Sequence, residues 1–100
     1  MLEASPIGDE LVRQAHHPEL LQRLRYSNPD EGLTALDPDT WMGPTSMAAA
    51  LQAAGSVWQG VNDVVSGDEA QVYCAVRPPG HHAEFDSPMG FCLLNSVAIA

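Results

Sequence analysis

The chain has 100 residues, of which 45% are hydrophobic and 17% are charged, a composition typical of one small globular domain. No apolar run approaches the roughly 18 residues that a membrane helix needs, and the opening "MLEASPIGDE" lacks a secretory signal, so we expect a soluble, cytoplasmic protein with no membrane partner. Four arginines, no lysine and a net charge of −9 argue against a nucleic-acid partner, because a phosphate backbone would be repelled.

The N-terminal part of the chain has a helical pattern. Residues 8–26 predict two short helices that meet near His17–Pro18, because proline fits a first helical turn and disfavours helix in the residue before it. We expect His16 and His17 to be structural or surface residues. Residues 27–40 predict a loop, since they contain two clusters of turn-forming residues.

A long amphipathic helix is predicted from about Pro44 or Met47 to Ser66, with Gly67 ending it. Its apolar residues recur at steps of three and four, which is the helical spacing, and Ala50, Val57 and Val64 widen the stripe, which favours a helix packed on a sheet over a coiled-coil seam. The stripe consists of Met47, Leu51, Ala54, Trp58, Val61 and Val65.

The third part of the chain predicts one buried strand. Residues 71–76, "QVYCAV", are apolar on both alternations, as in a parallel strand covered on both faces. Residues 93–100 then predict a further apolar helix or strand. A buried parallel strand needs neighbouring strands, and the chain offers no second convincing one, so we expect a piece of a larger α/β domain.

The loop after this strand carries two adjacent histidines. Pro78 and Pro79 restrict the backbone, and Gly80 permits a tight reversal before His81 and His82. Such a frame suits imidazoles that transfer protons to or from a reacting atom, although a bare histidine pair is more often an ordinary loop feature. Zinc binding by this pair is disfavoured, because adjacent side chains seldom converge on one ion and no further ligand stands nearby at a suitable spacing.

The segment that follows offers Gly90, Phe91 and Cys92. Gly90 allows close approach of the backbone to a ligand, and Phe91 can line an apolar slot. Cys92 could be a nucleophile activated by His82, as in thiol hydrolases. We favour a buried structural cysteine, because the apolar run "LLNSVAIA" follows it directly.

Three segments resemble the histone deacetylase superfamily: "LDPDTWMGPTSMAAALQAAG", "VRPPGHHA" and "MGFCLLNSVAIA", in this order and with these gaps. The similarity is to class II-like and bacterial members, acetylpolyamine amidohydrolases and acetoin-utilisation proteins, and it runs from about Ala15 to Ala100. It implies an α/β fold of the arginase/deacetylase type, with a doubly wound, mainly parallel sheet flanked by helices. Residues 1–100 would form the N-terminal part of that domain.

The resemblance also implies a set of catalytic residues and a reaction. The enzymes of this family remove acetyl groups from amines, so the implied substrate is a small acetylated amine or an acetyl-lysine peptide. His82 matches the general base, and His81 matches its electrostatic partner or acid.

The remaining matches concern substrate binding. Gly90 and Phe91 match the lining of the substrate tunnel, and Cys92 matches a cysteine beside the acetyl group. Asp37 or Asp39 falls near a mouth loop where relatives hold the substrate backbone.

A Zn²⁺ cofactor is implied by the same resemblance. The family ligands, an Asp-x-His pair and a later aspartate, and a tyrosine that stabilises the oxyanion are expected beyond Ala100, so no residue of this chain is assigned to the metal. We therefore expect the 100-residue chain alone to be inactive. Two alternatives stay open, a non-catalytic remnant or interaction module and a Cys92/His82 thiol hydrolase, and the oligomeric state is left open as well.

Overall fold

The computed structural model describes residues 3–100, which begin with the two predicted helices, α1 (Asp9–Val12) and α2 (Pro18–Ser27). Pro18 occupies the first turn of α2, and the His17 ring caps that helix by accepting a 3.1 Å hydrogen bond at Nδ1 from the Glu19 N–H. The predicted boundary is confirmed.

An ion pair joins the two helices on their exposed side. The Arg25 guanidinium donates two hydrogen bonds of 2.6 Å to the Asp9 carboxylate and holds the pKa of that carboxyl below its usual value. Both side chains are accessible to solvent, so the pair contributes little to stability.

A β-hairpin follows where the sequence predicted only a loop. β1 (Thr34–Asp37) pairs antiparallel with β2 (Thr40–Met42), and the register shifts between Ala35 and Asp37. The Asp37 side chain closes the turn by accepting a 3.0 Å hydrogen bond from the Asp39 N–H. The prediction of a continuous loop over residues 27–40 is therefore wrong for its second half.

Helix α3 (Ser46–Val65) agrees with the predicted long helix, and Gly67 follows it with a φ of +85°. Its apolar stripe is buried in only one half of the helix. Met47, Ala50 and Ala54 are buried, whereas Val61 is exposed and Val65 is 81% exposed. The predicted face is therefore confirmed near the start of α3 and wrong near its end.

The segment 71–76 forms no strand in this chain. The sheet within residues 3–100 is the β1–β2 hairpin, and Tyr73 is 92% exposed. The predicted buried parallel strand is wrong for these residues because a strand needs hydrogen-bonded neighbours, and the described part of the chain supplies none at this place. Contacts to α3 remain, since Val72 and Cys74 lie against Gly60.

The last element is a short helix, α4 (Ser96–Ile99), which settles the helix-or-strand alternative for residues 93–100. The Asn95 side chain caps it by accepting a 3.0 Å hydrogen bond from the Ala98 N–H. Helix α4 packs against α3. Within residues 3–100, no helix combines the length and apolar character needed to cross a bilayer.

One hydrophobic core joins these elements. The N-terminal segment crosses α3 so closely that a Cβ at Gly55 would lie 1.9 Å from the Ser5 carbonyl oxygen, and the Ile7 N–H donates to the Leu51 carbonyl over 2.9 Å. The buried members of the core come from the N-terminal segment, α1, α2, β2, the start of α3 and the C-terminal segment: Ile7, Val12, Leu20, Leu21, Leu24, Met42, Met47, Ala50, Ala54, Leu93, Leu94 and Ile99.

Candidate functional site

The two histidines of the loop are the central residues of a tight turn. The Ala83 N–H donates a 3.2 Å hydrogen bond to the Gly80 carbonyl, which closes the turn around His81 and His82. Gly80 is required by space, since a Cβ there would lie 2.6 Å from the Leu94 carbonyl oxygen. The turn is thus fixed against the C-terminal segment of the core.

The imidazole rings of this turn face solvent side by side. The centroids of His81 and His82 are 4.2 Å apart with an interplanar angle of 51°. Gly90 packs on the second ring, because a Cβ at Gly90 would lie 2.8 Å from Cβ, Cγ and Cδ2 of His82. Gly90 also has a φ of +57°, so two independent constraints favour glycine at this position.

Cys92 lies next to the His82 backbone and is buried, as the sequence predicted. Its Sγ accepts a 3.4 Å hydrogen bond from the His82 backbone N–H and donates one of 3.4 Å to the Gly90 carbonyl. The thiol therefore contacts the backbone of His82 and not its imidazole. A thiol nucleophile needs the contact with the imidazole, because the ring has to accept the thiol proton.

Phe91 lies at the wall of a cavity of about 640 Å³. The side chain is 64% exposed, and Asp39 and Trp41 of the hairpin line the same cavity. The hairpin and the histidine loop are far apart in sequence, and the fold brings them together here. The remaining lining residues are Leu33, Ala49, Arg77, Pro78 and Pro79.

The two candidate aspartates occupy different places. Asp39 lines the cavity, whereas Asp37 belongs to the turn of the hairpin. Desolvation opposes the charge of Asp37, but hydrogen bonds within the turn, among them the one from the Asp39 N–H, outweigh it and hold the pKa of the Asp37 carboxyl below its usual value. Of the two, Asp39 is the one positioned to meet a ligand in the cavity.

His16 is buried and connects this site to the N-terminal helices. From the sequence we expected only a structural or surface residue at this position. His16 Nδ1 lies 3.1 Å from the Phe85 carbonyl oxygen, and His16 Nε2 accepts a 2.9 Å hydrogen bond from the Asn95 N–H. The neutral ring with its proton on Nδ1 satisfies both contacts. His16 thus ties the segments on either side of Gly90 to α1.

Thr40 and Trp41 are site residues that the sequence analysis missed. Thr40 is buried beside the loop, and Trp41 is exposed on the cavity wall. Buried and exposed residues alternate in β2, and such an alternation can reveal a strand in a sequence. The three residues of β2 are too few to show it.

The side chains described here do not form a zinc site. Among residues 3–100, no group of three or more His, Cys, Asp or Glu side chains is arranged to hold a metal ion. His81 and His82 lie next to each other in one turn and offer at most two donors, fewer than the three or four protein ligands that zinc sites use.

Comparison with known proteins gives concordant matches. A sequence profile described as the histone deacetylase domain matches residues 1–100. The chain is 41% identical over 92 residues to an uncharacterized protein of Synechocystis sp., covering 92% of this chain and 30% of that protein. It is 34% identical over 97 residues to the histone deacetylase-like amidohydrolase of Pseudomonas aeruginosa, covering 97% of this chain and 25% of that protein.

A solved structure extends the match to three dimensions. The crystal structure of the HDA15 HD domain superposes with a TM-score of 0.91 at 30% identity, covering 98% of this chain and 27% of that one. The predicted α/β class of the arginase/deacetylase type is thereby confirmed. The chain spans less than a third of the length of these relatives.

Proposed function

Because the chain belongs to the histone deacetylase family, we propose that it is part of a zinc-dependent amidohydrolase that removes acetyl groups from acetylated amines. The observation that carries the proposal is the anchored turn of His81 and His82. This turn lies next to Gly90. Phe91, which follows Gly90 in the sequence, lines a cavity large enough for a substrate chain.

The proposed work of the histidine pair is proton transfer. A neutral His82 imidazole takes a proton from the water that attacks the acetyl carbonyl, and the resulting imidazolium returns a proton to the departing amine. His81, whose ring centroid is 4.2 Å from that of His82, offers a second proton site and electrostatic support. The hydrogen bond from the His82 N–H to Cys92 holds the backbone of the base in place, and Gly90 packs against one side of its ring.

The zinc ion of the proposal has no site among the described residues. Its ligands would have to come from other residues, and we assign no step of the reaction to it here. Zinc dependence is supported by the family resemblance alone.

The proposed substrate is an acetylated polyamine or an acetyl-lysine peptide. Trp41 and Phe91 offer aromatic surface for the methylene chain of an amine, and Asp39 offers a carboxylate for a nearby cation. The net charge of −9 attracts cationic molecules over the distance that salt screening permits. The same charge argues against direct binding of nucleic acid.

We propose a cytoplasmic location for the protein. Cys74 and Cys92 are free thiols, which suits a reducing compartment.

The test uses the longest native polypeptide that contains these 100 residues, assayed on an acetyl-lysine peptide and on an acetylpolyamine. We expect turnover that His82→Ala lowers by roughly 10²- to 10⁴-fold, because the general base is removed. His17→Asn is the matched control, since asparagine also caps a helix N-terminus, and it should retain the activity of the unchanged protein.

Two other results would redirect the proposal. Turnover that a metal chelator leaves unchanged and that iodoacetamide treatment abolishes would favour the Cys92/His82 thiol hydrolase. No turnover of either substrate by the native polypeptide would favour a non-catalytic member of the family.

A further inference from the structure

Phe91 is held in a backbone conformation that its side chain disfavours. Gly90 and Phe91 have φ values of +57° and +66°. They form the centre of a tight hairpin in which Met89 and Cys92 exchange backbone hydrogen bonds of 3.0 and 2.8 Å. Positive φ at both central residues is the pattern of a type I′ turn, where the second central residue is usually glycine. A bulky residue persists in this region only when its surroundings hold it there.

The contact that holds Phe91 from outside its own turn comes from the β-hairpin. The Phe91 N–H donates a 3.2 Å hydrogen bond to the Thr40 hydroxyl, which in turn donates to Asp39 Oδ1 over 3.1 Å. Thr40 is 1% exposed, so water does not replace these bonds readily. One buried hydroxyl therefore connects two residues that line the cavity, Phe91 and Asp39.

The direction of these bonds is fixed by chemistry. The backbone N–H can only donate, so the Thr40 oxygen is the acceptor, and its single proton is left for the carboxylate. A charged acceptor strengthens that second bond and orients the oxygen lone pairs toward Phe91.

We infer that Thr40 is a positioning residue that sets the place of the Phe91 ring and the Asp39 carboxylate relative to each other in the cavity. It touches neither histidine ring through these bonds, and it acts on the substrate through Phe91 and Asp39. The histidine turn is anchored separately, by the Ala83–Gly80 hydrogen bond and by a 3.2 Å bond from Asn95 Nδ2 to the Ala83 carbonyl. Loss of the Thr40 hydroxyl should therefore weaken substrate binding more than it slows the chemical step.

The test compares Thr40→Val with Thr40→Ser in the native polypeptide that contains these 100 residues. Valine keeps the shape and leaves the Phe91 N–H without its partner, whereas serine keeps the hydroxyl. We expect Thr40→Val to lower kcat/KM on the acetyl-lysine peptide about tenfold, mainly through KM, and Thr40→Ser to restore it to within about twofold of the unchanged protein. Ser56→Ala is the control for the loss of any hydroxyl hydrogen bond. It removes a hydroxyl in the middle of α3 that donates to the Gln52 carbonyl.

A second measurement does not depend on activity, whereas the kinetic one rests on the proposed function. Amide hydrogen exchange of Phe91 should be at least about tenfold faster in Thr40→Val than in the unchanged protein and unchanged in Thr40→Ser. If the native polypeptide shows no turnover, the proposed function fails and the exchange result alone decides on Thr40. Equal protection of the Phe91 amide in Thr40→Val and the unchanged protein would overturn the inference, as would equal KM values in an active protein.

Discussion

The two halves of α3 have similar apolar residues and opposite surroundings. In residues 46–55, the closed half, the apolar side chains are buried in the core that also contains α2 and the C-terminal segment. In residues 56–65, the open half, Trp58 still packs against the edge of this core, but Val61, Val64 and Val65 are exposed. An apolar stripe is thus buried only where the chain itself supplies the partner for it.

This difference explains why the histidine turn has a defined geometry although residues 3–100 form no parallel sheet among themselves. The turn packs closely on the Leu94 backbone at Gly80, and Leu94 belongs to the same core as the closed half. The segment 71–76 lies over the open half at Gly60 and has no strand partner among residues 3–100. The site is therefore built on the self-contained part of the chain.

The largest expected difference is in the free energy of unfolding, between alanine substitutions at Val12 and at Val65. Val12 is fully buried in the core, so Val12→Ala should lower the free energy of unfolding of the 100-residue chain by about 2 kcal/mol, through lost apolar burial and the remaining cavity. Val65→Ala makes the same chemical change at the end of the open half and should alter it by less than about 0.5 kcal/mol. Urea denaturation measures both values. Equal losses for the two variants would show that the core containing the closed half and the open half do not differ in apolar burial.

Alanine substitutions at two glycines of α3, Gly60 and Gly55, should change the stability by smaller amounts and in opposite directions. Alanine gains up to about 1 kcal/mol over glycine in a helix interior. At Gly60 the new methyl group meets Val72 Cγ1 at 3.1 Å, a side chain of an unpaired segment that can shift, so Gly60→Ala should stabilise the chain slightly.

At Gly55 the same methyl group meets the backbone of Ser5, so overpacking outweighs the helix propensity, and Gly55→Ala should cost about 1 kcal/mol net. Thermal denaturation of the two variants side by side gives the signs. A stabilising Gly55→Ala would mean that the N-terminal segment does not lie against α3.

Local signals in the sequence predicted the helices well. Pro18 marked the start of α2, and the regular spacing of apolar residues marked α3. The hairpin was not predicted, because β1 and β2 have only four and three residues, which are too few to show an alternating pattern. The strand at 71–76 was predicted from its residue types, but strand formation depends on partners that residue types do not report.

The candidate site was predicted in part for a similar reason. Pro78, Pro79 and Gly80 indicated a rigid turn at His81 and His82, and the structure has such a turn. Thr40 lies 51 positions before Phe91, and no local pattern links the two. Contacts between distant segments are set by the packing of the whole chain, so the hairpin side of the cavity emerged only from the fold.

The most direct test of the account measures zinc binding and deacetylation by the 100-residue chain itself. Because its described residues provide the histidine pair without a metal site, we predict less than stoichiometric zinc after dialysis and no turnover of an acetyl-lysine peptide with zinc added. One zinc ion bound per chain, together with turnover that His82→Ala abolishes, would contradict the account.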